Sequence, residues 1–526
     1  MAKNTLERYK QLETDKSTYT AVWSDINKFV FPNSEQFYSE YQGGQKRRRL
    51  QFDGTAERAL EIFAASMVGL IANPAAKYIN FEPRDKDLIS NREVQEFIEE
   101  AQDKVLAVFN DPATKFYDNF FYCMQYMGAY GTTALLSDQD ERHVAVFRAE
   151  SPKHINFTEK FNGTIEEIFL ERDFTASQLI DLAETKEWDI PDSIGKKKPD
   201  DKVKVIRHIY PNKNYKEGSL KEKKFKSEYW LKEEAKLINS SGFNSFPAPI
   251  GRWGKLDGEK WGDSPARVAL TDVKILNASE RHLTFAEEYS LRPALFVSSE
   301  SKFGKLDLSA GAVNVARGNP NDSIRQLSIN GDLNFSLERN RLRREVVMQA
   351  FYVDIFQTMS DVDMTATEAQ IRQQERLRGL APKASRVQSD LLGPTAERIL
   401  YLLIERGDLK PPAALAGREL EVVYTSPLAN AQRANDAMSI QMFMQDLLQM
   451  SQVNPDVLDK IDFDAIVSEM AEIRGIPTKL LLEDKAVESI RVARQQQQQL
   501  QQGLAVAQQA GEAGQAIKAA TNEQTG

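Results

Sequence analysis

The sequence predicts a mainly α-helical protein with an α+β portion in its N-terminal half, on three observations. Long stretches carry apolar residues at steps of three and four, the spacing that stacks one helix face. Between about His143 and Arg252 that period gives way to short alternating or β-branched runs. From Gly331 to Asp408 the chain reads as two helices joined by a short polar hinge.

In chain order, Leu6 to about Phe31 forms a first helix with Tyr9, Leu12, Tyr19, Trp23 and Ile26 as its stripe, ended by Pro32-Asn33. Lys46-Arg47-Arg48-Arg49 is a basic cluster, read as a solvated loop or a cation cluster at a subunit contact rather than a phosphate site. Asp53 precedes an apolar helix from Ala56 to Ile71, stopped by Asn73-Pro74. Its small residues Ala59, Ala64, Ala65, Ser66 and Gly69 permit close packing. Asn91–Asn110 is amphipathic. Phe116–Tyr130 is an aromatic-rich core helix running into Gly131-Thr132. Expected strands include Val144–Phe147, Ile165–Leu170, Val203–Ile206 and Ser227–Leu231, mainly antiparallel, with a short helix over Phe174–Ala183. Lys213–Lys226 reads as a charged hairpin tip.

The segment from Gly331 to Asp408 organises the rest. Its first helix, Leu333–Phe356, repeats apolar residues at Leu342, Val346, Ala350 and Val353. Glu338, Arg341 and Glu345 are spaced for ion pairs on the polar face. Gln357 to Met364 has two acids, two hydroxyls and little helix propensity. Thr365-Ala366-Thr367-Glu368 then forms a capping box, in which Thr and Glu satisfy orphan backbone N–H groups. A bend is expected near Gly379 and Pro382, since proline lacks the N–H and crowds the preceding turn. The helix resumes through Ile399–Leu403, with Gly407 as its stop. Beyond Pro411-Pro412, Ser426–Met450 and Phe463–Ile473 read as helices. Arg494–Gln502 opens a Gln- and Ala-rich tail that extends a helix or stays disordered.

Composition excludes several classes. The chain has 526 residues, 41% hydrophobic and 28% charged, enough for roughly three lobes at about 150 residues each. Its net charge of −9 has the wrong sign for a free nucleic-acid binder. The one cysteine, Cys123, excludes an intrachain disulfide. His143, His154, His208 and His282 are scattered, so no zinc spacing exists. No signal peptide, bilayer-length apolar run or phosphate loop occurs, so neither membrane contact nor a cofactor is expected.

A series of short motifs runs Ser241-Gly242-Phe243, Phe246-Pro247, Arg252-Trp253, Trp261-Gly262-Asp263-Ser264-Pro265-Ala266 and Leu270–Asn277. Met364-Thr365-Ala366-Thr367-Glu368 follows further on. Their joint order resembles the head-to-tail connector, or portal, family of short-tailed (T7-like) double-stranded DNA phages. The resemblance spans most of Leu50 to Gly407 and fades at the N-terminus and beyond about Gly417.

That resemblance implies a portal fold of wing, stem, clip and crown. Copies assemble into a ring, usually dodecameric, around an axial DNA channel. It implies an N-terminal wing over 1–270, stem helices over 271–292 and 330–356, and a clip over 293–329. A tunnel loop follows over 357–364, then a long kinked helix over 365–409, a helical crown over 410–490 and a tail over 491–526. The ring would sit at one capsid vertex of the virion, at the head–tail junction, after assembly in the host cytoplasm. DNA would enter through it during packaging and leave during ejection. Partners implied are the terminase large subunit, then tail adaptor and tail tube proteins, with major capsid and scaffolding proteins during procapsid nucleation.

DNA must slide, so tight phosphate contacts would stall it. The tunnel loop, Gln357, Thr358, Met359, Ser360, Asp361, Val362, Asp363 and Met364, is the expected DNA-facing element. In it Asp361 and Asp363 repel phosphates. Lys302, Lys305 and Arg317 on the clip, and Arg341 and Arg344 on the stem, are candidates for transient contact. Ion pairs within a helix or between subunits are the competing role for each. No catalytic spacing appears, which argues against an enzyme. A tail adaptor or another structural ring is the alternative, although adaptors are shorter and lack the helix–hinge–capping-box unit.

Overall fold

The structure is a computed structural model. It describes residues 2–35, 37–38, 50–88, 91–215, 222–291, 295–297, 324–326, 333–356, 378–415, 420–424, 427–452, 461–474, 476, 480–482, 486–497 and 499. The chain divides into two compact units. The larger comprises 1–82, 101–411 and 420–428; the smaller comprises 83–100, 412–419 and 429–526.

The larger unit begins with helix α1 (Ala2–Phe29) and helix α2 (Thr55–Ile71), followed by strand β1 (Ile79–Pro83). Helix α3 (Arg92–Asn110) enters it from the smaller unit, and helix α4 spans Phe116–Tyr130. β2 (Thr132–Asp140) pairs antiparallel with β3 (Val144–Glu150). Next come β4 (Ile155–Glu159), β5 (Ile165–Thr175), helix α5 (Ala176–Lys186), the short α6 (Asp192–Gly195) and β6 (Lys202–Pro211). β7 (Phe225–Leu231), β8 (Leu237–Phe243) and β9 (Ile250–Arg252) complete the strands of this region. They form a five-stranded antiparallel sheet, β4-β5-β6-β7-β8, and a three-stranded one, β3-β2-β9.

Alternation along β6 explains why the five-stranded sheet is covered on both faces. Val203 and Val205 point to one side and pack with Ala176 and Leu179 of α5. Ile206 points to the other and packs with Leu6 and Tyr9 of α1. Thr175 caps α5 with a full capping box, its side chain accepting from Gln178 N–H while Gln178 accepts in return.

Helix α7 (Pro265–Leu291) follows, then the short strands β10 (Leu295–Val297) and β11 (Ile324–Gln326), paired antiparallel. Helix α8 covers Leu333–Ala350 and helix α9 Gly393–Arg406. β12 (Leu420–Tyr424) pairs with β1. The smaller unit carries α10 (Pro427–Ser451) and α11 (Phe463–Ile473). Within it Arg491 forks onto Asp464 at 2.6 and 2.7 Å, and Arg92 donates to the Leu481 carbonyl.

Several expectations shift. α7 starts at Pro265 rather than at residue 271. Ser264 caps it by accepting from Arg267 N–H at 3.0 Å, and Pro265 fits the first turn, where its missing N–H costs nothing. The helix expected over Leu333–Phe356 breaks after Ala350, and Tyr352 takes a left-handed φ of 60° before a turn at Val353–Phe356. Aromatic anchoring holds the break: Phe351 packs edge-on against Phe63, and Tyr352 against Trp253. Residues 378–387 stay helical through Pro382, and the departure from α geometry is a π-turn at Gln388–Leu392. Pro394 lies four residues beyond Asp390 and cannot bond its carbonyl, which widens the preceding turn. Tyr424 donates to the Gln388 carbonyl there at 2.6 Å, and a Cβ on Gly393 would overlap the Tyr424 hydroxyl. Gly407, with φ 79°, ends α9 as expected.

Candidate functional site

The pair α7–α8 is the element most exposed to function, and its position follows from local packing. Trp261, fully buried, meets Trp23 and Phe157 edge-on at 5.0 and 4.8 Å. Gly262 and Gly131 cross backbone to backbone. A Cβ on Gly131 would lie 2.2 Å from the Gly262 carbonyl, and Gly131 has φ +79°. Ser264 donates to the Ala129 carbonyl at 2.9 Å. The head of α7 is thereby fixed to the end of α4. At the far end of α8, Phe351 reaches Phe63 of α2, whose side chain abuts Gly128 of α4. Because α2 and α4 pack against each other there, the start of α7 and the end of α8 lie close together, so the pair runs antiparallel.

Each helix presents four sides. On α8, Asn340, Arg344 and Val347 follow the ridge that Phe351 continues just past its end, with Val347 and Phe351 fully buried. On α7 the ridge is Ala269, Val273, Leu276, Glu280 and Leu283. Glu280 accepts from Asn340 at 2.9 Å and from Arg344. Arg344 also donates to Asp53 at 3.0 Å. Asn277 clamps the segment before α2, accepting from Phe52 N–H at 2.6 Å and donating to the Leu50 carbonyl at 2.9 Å.

The Leu342–Val346 stripe is real but is not buried. Leu342 and Val346 are 50% and 48% exposed, because the ridge at Asn340, Arg344 and Val347 occupies the contact with α7. Opposite its own ridge, α7 carries a matching exposed line of Val268, Thr271, Ile275, Ala278, His282 and Phe285 at steps of three and four. The pair thus shows an apolar stripe on each of two opposite sides.

The remaining two sides differ. One faces the body of the unit. Lys274 donates to Asp25 at 2.6 Å, Arg281 lies over the Phe52 ring, and Arg344 meets Asp53. Arg341 and Glu345 lie towards this side on α8. Arg341 donates to Glu338 at 2.8 Å, a bond that raises its guanidinium above the ordinary value. The other side carries Asp272 and Ser279 on α7, and Ser336, Arg339 and Arg343 on α8.

Of the expected site residues, Arg341 and Arg344 are therefore placed, both in ion pairs within their own chain. Sequence spacing could not reveal Asp53 and Glu280 as partners, because they lie far away along the chain. Lys302, Lys305, Arg317 and the loop Gln357, Thr358, Met359, Ser360, Asp361, Val362, Asp363 and Met364 lie outside the described residues.

Nothing catalytic assembles elsewhere among the described residues. A cavity of about 860 Å³ beside α1 and β5 is lined by acids and bases that mostly pair with one another. Arg172 pairs with Glu150, Lys232 with Glu171, and His154 with Glu35. Cys123 is buried, and burial pushes its thiol up to about 12. Among the described residues no group of three His, Cys, Asp or Glu could hold a metal, and no helix is long and apolar enough to cross a membrane.

Residues 2–482 match the family described as bacteriophage head to tail connecting protein. A probable portal protein of Bordetella phage BPP-1 is 27% identical over 517 residues, 96% of this chain and 93% of its own. The portal protein of Salmonella phage epsilon15 is 24% identical over 532 residues, with the same two shares. Among solved structures, a chain of a native gene transfer agent virion overlaps 80% of this chain and 94% of its own, at 10% identity and a TM-score of 0.37. A chain from the neck of an empty particle of that kind overlaps 79% and 95%, at 10% identity and a TM-score of 0.38.

Proposed function

The chain belongs to the bacteriophage head-to-tail connecting protein family, and from that premise we propose that it closes into a ring whose centre is the path of the genome. Its role is that of a portal at the capsid vertex, in the head–tail junction of the virion, and it is structural rather than enzymatic. The observation that carries the proposal is the family match over residues 2–482 together with two near-full-length relatives named as portal proteins. The two opposed apolar stripes of α7 and α8 support a closed assembly. A surface that repeats head to tail generates rings, whereas a two-fold contact would leave one stripe uncovered.

In this reading residues 1–270 form the wing, 271–292 and 330–356 the two helices of the stem, and 293–329 the clip. Residues 365–409 form the long helix, and 410–490 the crown, followed by a tail over 491–526. The ring is a dodecamer. Terminase docks on the clip during filling, and tail adaptor and tail tube proteins follow it. Capsid and scaffolding proteins meet the ring during procapsid nucleation. The loop from Gln357 to Met364 faces the DNA, with Asp361 and Asp363 keeping phosphates from binding tightly. Lys302, Lys305 and Arg317 make passing contacts. Arg341 and Arg344 would have to exchange a carboxylate of their own chain for a phosphate to join them.

Negative-stain electron microscopy of the purified protein tests the ring. Particles with an axial hole and about twelvefold symmetry are expected. Compact oligomers without a hole overturn the reading. For the loop, Asp361→Ala with Asp363→Ala should impair packaging or genome retention, and unchanged values for both would remove its assigned role.

A further inference from the structure

Resting on the ring reading, the four-sided geometry of the helix pair points to Arg339 and Arg343 as the stem cations that meet DNA phosphates. One side of the pair is taken by the body of its own subunit, through Asp25, Phe52 and Asp53. Two opposite sides are apolar: Leu342 and Val346 on α8, and Ile275 and Phe285 on α7. In a ring those stripes meet the neighbouring copies. A channel wide enough for a duplex requires the bulk of every copy to lie away from the axis. The side left for the axis is therefore the one opposite Asp53.

The residues on that side suit a sliding surface. Arg339 and Arg343 stand one helical turn apart, so their side chains rise from the same strip of helix. Neither has a carboxylate partner among the described residues. Arg339 lies over the ring of Phe335, at 5.6 Å, and keeps its charge available. Around them stand short side chains, Ser336 on α8 and Ser279 on α7; Arg339 is exposed and Arg343 half-buried. Asp272 is the one carboxylate on this side of α7, and in the antiparallel pair it stands at the level of the C-terminal end of α8. Arg341 and Arg344 differ: the first is held by Glu338, and the second by Asp53 and Glu280. Two cations per copy without a carboxylate partner among the described residues, beside small polar residues and set in a chain of net charge −9, give phosphate contacts that are many but individually weak.

The test uses full-length rings and a short fluorescent duplex, with binding followed by anisotropy across a KCl series. Wild type should lose affinity linearly in log salt. Arg339→Gln with Arg343→Gln should flatten that slope by at least about 1. Arg339→Lys with Arg343→Lys should retain it, since charge is what is needed. Arg341→Gln should leave it unchanged. Rings of the double Gln variant that keep the wild-type slope overturn the assignment, as does a slope lost on Arg341→Gln instead. Electron microscopy of the same samples separates the two ideas. Wild-type protein that makes no ring overturns the ring reading. Intact variant rings with an unaltered slope overturn only the role of these arginines.

Discussion

The five-stranded sheet and the α7–α8 pair solve the same problem in opposite ways. Both have two apolar faces. The sheet covers one with α5 and the other with α1, so Val205 and Ile206 are both buried within one chain. The helix pair buries only the ridge between its members and leaves Leu342, Val346, Ile275 and Phe285 at 41–50% exposure. The first is a folding unit complete in itself. In the proposed ring the second is completed by neighbouring copies. In that reading the exposed stripes are the assembly surface, since an apolar surface left in water forfeits about 25 cal/mol for each Å².

The largest expected effect comes from breaking the joint between the two regions. Gly131→Ala places a Cβ 2.2 Å from the Gly262 carbonyl at a left-handed φ. It should cost about 4 kcal/mol or more, and calorimetry should show a subunit that no longer folds cooperatively. Folding with a wild-type midpoint would mean that the glycine crossing does not set the head of α7.

Within α8 the contrast can be measured one residue apart. Val347→Ala, at 0% exposure, should cost about 2 kcal/mol by denaturant unfolding of the subunit. Val346→Ser, at 48%, should cost under about 0.5 kcal/mol there yet abolish rings in the microscope. Equal losses of subunit stability would erase the distinction between ridge and stripe.

The sheet should also show its closure through pH. Burial pushes Glu167 up, but hydrogen bonds from His208 and Thr158 and the nearby Arg8 outweigh it and hold the carboxyl at about 2. The folded value is below the ordinary 4.5, so this contribution is complete above about 4.5 and is lost as pH falls towards about 2. A melting series over that window should slope steeply in wild type and less so in His208→Gln. Identical slopes would remove the His208 contact as a cause.

Arg341→Ala should have the smallest effect, within about 0.5 kcal/mol, since its pair with Glu338 is 66% and 56% exposed. A larger loss in thermal unfolding would show that the Arg341–Glu338 pair is not open to solvent.

The sequence by itself determined most of the elements. Period and breakers place Phe116–Tyr130 at its observed bounds, and alternation finds the strands around Ile168 and Val205. The glycine at 407 carries its reason locally, a positive φ at a helix end. These are short-range effects, so they survive in a string of letters. Only the tertiary structure decided which apolar stripe is inside. Leu342 and Val346 are spaced as well as any core face, yet the ridge that packs on α7 contains Asn340 and Arg344. The partners of Arg344, Asp53 and Glu280, are 291 and 64 residues away in the chain. Periodicity says that a helix has a face to bury; whether another part of the same chain or another copy covers it depends on contacts between distant segments, which no local pattern encodes.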